Sequence, residues 1–185
     1  MYRRSAVLAV LSILAAGCSD SSPASPSQGT RTTSTFTVPL SSANEVPAIN
    51  NADASGSGTA TIVLTVTKDD GGTITSATMN FQISVTGFPE GTRITDAHIH
   101  NGSVGANAGV YVSAALGAGE LAITGGSGSV TKNGINVPAD RATAILNNPA
   151  GHYFNVHTAL NPAGAIRGQL AGGGASLDPG TPVPY

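Results

Sequence analysis

The sequence predicts an all-β fold: an antiparallel sandwich or barrel of about seven to nine short strands. Composition is the first reason. Gly is abundant at 24 residues, charged residues make up 10%, aromatics 4%, and Trp is absent. Strong helix formers are therefore scarce, while Val, Ile and Thr suit strands. Alternation is the second reason. Met79, Phe81, Ile83 and Val85 are interleaved with Asn80, Gln82, Ser84 and Thr86, which is the period of two of a half-buried strand. Turn signals such as Asp69-Asp70-Gly71-Gly72 recur at about 8–12-residue spacing. No unit of about 30 residues repeats, so a solenoid or propeller is excluded.

Taken in order, strands are expected over Phe36–Leu40, Gly56–Thr67, Thr73–Thr86, Arg93–His100 and Val110–Leu116. Weaker strands fall at Leu121–Ile123 and Ser129–Thr131. One short helix is expected over Ala139–Asn147, with Asp140 in its first turn and Asn148-Pro149 to stop it. Strands over His152–Thr158 and Ala165–Leu170 close the domain, and residues 172–185 read as a loose Gly/Pro-rich tail.

The first 17 residues read as a secretion signal. Arg3 and Arg4 form a positive start, and Ala6–Ala16 is an apolar run too short to span a bilayer. Leu14-Ala15-Ala16-Gly17-Cys18 resembles the lipobox of bacterial lipoproteins, with Ala15 where an aliphatic residue is usual. That resemblance implies that Cys18 is lipidated. Cys18 is the single cysteine of the chain, so an anchor suits it better than a disulfide. Several acyl chains on one residue give stable anchoring where one is marginal. The alternative is ordinary secretion, with Cys18 incidental. Residues 18–33 are Ser/Pro/Thr-rich and read as a tether, leaving 34–171 as the domain. The expected location is the bacterial cell envelope. The net charge of −2 and the scattered basic residues exclude a nucleic-acid footprint.

Four histidines remain to be explained. His98 and His100 share one strand face, with Ile99 on the other. His157 alternates with apolar Val156 and Phe154, so it too lies on a polar face. Three imidazoles suit copper or zinc, copper first. Asp96, Asn155 and Glu45 are candidates to orient the rings. The competing reading is structural: Glu45, His157, Thr158 and Arg167 as a buried polar network that fixes strand register. Glu45 and Arg167 are expected to pair, since charges are rare here. His152 is expected at the surface. No second carboxylate or nucleophile stands beside Glu45, and no Ser-His-Asp set, phosphate loop or cysteine cluster is present, so no catalytic residue is assigned.

From Phe36 to Leu170 the chain resembles the CHRD domain. The residues that carry the likeness are Leu40–Pro47, the Gly87-Phe88-Pro89 turn, and Ala97-His98-Ile99-His100 with its Gly-rich follower. Further matches are Tyr153–Thr158, Asn161-Pro162 and Ala165–Leu170. Ala165 departs from the family's frequent Glu. CHRD domains are similar to copper–zinc superoxide dismutases, which implies a Greek-key β-sandwich or barrel of superoxide-dismutase type and neighbouring strands for His98, His100 and His157. Dismutase activity is not expected, because that family uses six histidines, an aspartate and a disulfide. The function expected from these readings is a non-enzymatic binding or interaction module at the membrane, with a protein or glycan partner. The alternative is a copper- or zinc-binding protein.

Overall fold

The computed structural model describes residues 29–117 and 119–170 in full, and the backbone of 174–177. Cys18, the signal segment, most of the tether and the end of the tail lie outside the described residues. The strands are β1 (Thr30–Ser41), β2 (Ser57–Lys68), β3 (Ile74–Thr86), β4 (Ile94–His100), β5 (Val110–Ser113), β6 (Gly128–Asn136), β7 (Tyr153–Thr158), β8 (Ile166–Gln169) and β9 (Gly174–Leu177), with one helix, α1 (Ala139–Asn147). They form one antiparallel sheet in the order β5-β4-β7-β8-β1-β2-β3-β6, with β9 also paired to β1. The all-β class is as the composition requires. Among the described residues, no helix is long and apolar enough to cross a membrane.

The β1–β2–β3 meander is set by alternation. Phe36 stands opposite Ile62, and Ile62 opposite Phe81. All three are buried, while their polar neighbours Thr37 and Gln82 are not. A slip of one residue would turn this apolar set outward. The sheet curls on itself: the rings of Phe81 on β3 and Phe154 on β7 stack at 5.8 Å, although β8, β1 and β2 lie between them in strand order. The core thus fills the concave side, between β1-β2-β3 and β4-β7-β8. β1 meets β8 through Ser41 and Arg167, and its outer part pairs with β9. Helix α1 buries Ala142 and Ile145 and ends as read, at Asn148-Pro149.

Several boundaries differ from the sequence reading. β1 starts at Thr30, inside the expected tether, because Thr30–Thr33 pair with Thr65–Lys68; backbone pairing compensates for the lack of a large apolar side chain. Gly174–Leu177, expected in the loose tail, forms β9 against Thr32–Thr35. β6 is longer than Ser129–Thr131. β5 stops at Ser113, where Ala115 takes a positive φ of 53°. Leu121–Ile123 forms no strand, but Leu121 and Ile123 are still buried in the core.

The sheet half β4-β7-β8 positions the candidate site. Its core face carries Ala97, Ile99, Phe154, Val156 and Ile166. Its outer face carries Asp96, His98, His100, Tyr153, Asn155, His157 and Arg167. Loops roof this outer face. The Asn44 amide donates to Arg167 O at 3.0 Å, Asn107 to Val46 O at 2.7 Å, and Asn51 to Asn161 Oδ1 at 2.8 Å. Every residue of β7 is consequently buried, on both faces.

Candidate metal centre

Strand register brings the three histidines together. Asp96 lies opposite His157, His98 opposite Asn155, and His100 opposite Tyr153. His98 therefore reaches His157 diagonally, with Nδ1 3.1 Å from Nε2. Each of His98, His100 and His157 offers one ring nitrogen to a cluster in which all three atoms lie within 4.8 Å of one another.

The outer nitrogen of each ring is held by an oxygen. His98 Nε2 donates to Asp96 Oδ2 at 2.8 Å. His100 Nδ1 donates to the Ala108 carbonyl at 2.9 Å, and His157 Nδ1 to the Pro162 carbonyl at 3.1 Å. These acceptors fix the tautomers, so His100 and His157 direct Nε2 lone pairs inward. His157 Nε2 accepts the proton on His98 Nδ1. His100 Nε2 is buried and has no partner. Burial pushes the His157 imidazolium down to about 4, against a rise from its carbonyl bond, and burial lowers His100 as well. Both rings are thus neutral near pH 7, the form that ligates metals.

The residues fit a small first-row ion. Metal–nitrogen bonds of about 2.0–2.1 Å in a tetrahedral site place nitrogens about 3.3 Å apart. The 3.1 Å pair already meets this, and the 4.8 Å limit leaves ring movements on the order of 1 Å to close the rest. Three imidazoles without thiolate suit zinc or copper.

Tyr153 supports the arrangement. It stacks on His100 at 4.7 Å with 6° between planes, and the Arg167 guanidinium lies 4.5 Å from its ring centroid. Its hydroxyl accepts from Ala108 N at 3.2 Å, which anchors the same residue that holds His100. A signal for Tyr153 was present in its alternation with Asn155 and His157, but nothing local marks an aromatic as a brace.

The expected polar network is divided in two. Thr158 points away from the histidines and donates to Asp53 Oδ2 at 2.7 Å, as does Asn161 Nδ2 at 2.7 Å. Asp53, fully buried, was missed because it sits in a polar loop with no motif. It clasps the 42–56 loop to the end of β7. Arg167 does not form the expected ion pair with Glu45. Its guanidinium donates instead to Asn44 O at 2.7 Å, Ala106 O at 3.1 Å and Asn107 Oδ1 at 3.0 Å. Glu45 is left in a buried position where desolvation raises its carboxyl to about 7, against the opposing pull of the Arg167 charge and the Asn155 amide. Neither Glu45 nor Asn155 orients a histidine; Asp96 and two main-chain carbonyls do. His152 is buried, not at the surface. Its Nδ1 donates to Asn148 O at 2.9 Å and its ring lies 5.2 Å from that of Tyr111, away from the other three.

A cleft of about 480 Å³ opens beside this face, lined by Glu45 to Asn51, His100, Asn107-Ala108, Tyr153 and Leu160 to Gly164. An antiparallel β domain with a loop-covered histidine face and an adjoining cleft defines the class of the protein. The family model of the CHRD domain matches residues 36–170, and the chain belongs to the CHRD domain family. No curated protein and no solved structure matches the chain at a significant level.

Proposed function

We propose that this chain is a non-enzymatic, envelope-anchored CHRD protein that binds one copper or zinc ion through His98, His100 and His157. One observation carries the reading: each imidazole has its outer nitrogen held by an oxygen while its inner nitrogen points at the other two. A purely structural cluster has no need to leave the buried His100 Nε2 without a partner. Bound there, the ion would supply a Lewis-acidic centre beside the cleft that His100 helps to line. The chain's own part is to orient the three rings and shield them from solvent beneath the 42–56 and 101–109 loops.

Lipidation at Cys18 would hold the domain at a bacterial membrane, with the segment up to β1 as its tether. Metal titration tests the site. A chelator-treated chain is expected to take up one zinc or copper ion per molecule, and a His100→Ala/His157→Ala variant to take up none. Equal uptake by both proteins would remove the assignment. Labelling with radioactive palmitate tests the anchor, and label surviving Cys18→Ser would overturn that part.

A further inference from the structure

Arg167 is a buried cation without a counter-charge. It is 3% exposed, and among the described residues no carboxylate forms an ion pair with it. Its Nε and both protons of Nη1 are spent on Asn44 O, Ala106 O and Asn107 Oδ1, which leaves the protons of Nη2 over. Nη2 is not one of the buried atoms without a partner, which belong to Glu45, His100, His152 and Asn155, so it still reaches solvent. A buried charge without a partner is costly, and the strongest partner for a guanidinium is a carboxylate.

Glu45 does not fill that role. Its Oε1 lies 2.9 Å from where a Cβ on Gly164 would stand, and the Asn155 amide acts on its carboxyl. Burial holds that carboxyl up at about 7, so it is largely uncharged at pH 6. Space for another anion is at hand. Arg167 lines a second cavity, of about 330 Å³, together with Ala43–Val46, Val104-Gly105 and Gly168-Gln169. That volume lies at the lower end of small-molecule sites. Gly105 is part of the wall, and a Cβ built on it would meet nothing within 4 Å, so the cavity is open there. Val46 and Val104 give the wall an apolar part, and Val104 is 80% exposed.

We propose that this cavity binds a small carboxylate with an apolar body, its carboxylate on Arg167 Nη2 and its body against Val46 and Val104. The site goes beyond the metal reading and stands without it. Benzoate, with benzamide as its uncharged counterpart, tests it by calorimetry on the chelator-treated full chain at pH 6. Saturable binding of one benzoate per chain is expected, with benzamide at least tenfold weaker. Val104→Glu places a negative charge at the cavity wall and is expected to weaken benzoate at least threefold with its melting transition retained, while Val104→Lys tightens it. Arg167→Gln, if folded, is expected to abolish binding. No saturable binding, equal binding of benzamide, or full binding by Val104→Glu would overturn the proposal. Displacement of benzoate by equimolar inorganic phosphate would overturn it in favour of an inorganic anion site. Because metal is removed first, failure of the histidine site and failure of this one are read separately.

Discussion

Saturating zinc is expected to stabilise the metal-free chain by about 4 kcal/mol when free zinc stands about 1,000-fold above its dissociation constant. For a domain of this size that is a rise in melting temperature on the order of 10 °C. The gain arises because the three rings converge in the folded chain and are dispersed in the unfolded one. Its pH dependence follows from the hydrogen bonds. Metal entry must displace the proton shared by His98 Nδ1 and His157 Nε2, so zinc competes with protons and the shift shrinks as pH falls. His157 adds little competition until pH approaches about 4, where its buried ring charges. Scanning calorimetry at pH 7.5 and 5.5 checks this. A shift that is larger at pH 5.5, or one that persists in His157→Ala, would contradict the proposed ligands.

Glu45→Gln is expected to stabilise the metal-free chain at high pH and leave it nearly unchanged at low pH. The ordinary carboxyl ionises near 4.5, but burial raises Glu45 to about 7. Between these values the folded chain binds the proton more tightly than the unfolded chain, so stability declines with rising pH. Above about pH 7 the full cost is present, about 3 kcal/mol at 1.36 kcal/mol per pH unit between 4.5 and 7. His100 and His157 act oppositely. Their lowered values make stability rise from acid pH to about 6.5, but they do so in both proteins and cancel in the difference. Urea unfolding from pH 4.5 to 8 should therefore give a variant-minus-parent difference that grows from near zero to that value. If the parent is the more stable protein at pH 8, Arg167 holds Glu45 as a carboxylate and the buried carboxyl has been misjudged.

Both expectations depend on contacts that the sequence carried unevenly. Alternation made the β1–β2–β3 meander and the shared face of His98 and His100 readable, because a two-residue period needs no partner to be recognised. The His98–His157 contact needed strand register, which alternation alone does not supply; the family resemblance was what implied it. Glu45 and Arg167 were matched by scarcity of charge. In the fold, Arg167 finds three main-chain and amide acceptors first, and these come from loops whose course no periodicity predicts. Asp53 escaped for the same reason: its donors, Thr158 and Asn161, are more than 100 residues away. His152 was misplaced because β7 is covered on both faces, an outcome decided by the roofing loops and not by the strand's own pattern.

The most direct test of the account is the X-ray absorption spectrum of the zinc- or copper-loaded chain at the metal edge. The account predicts the multiple-scattering signature of three imidazoles with metal–nitrogen distances of about 2.0 Å, reduced in His98→Ala. A first shell with one imidazole or none, or a spectrum unchanged in that variant, would contradict it and leave the histidine face as architecture.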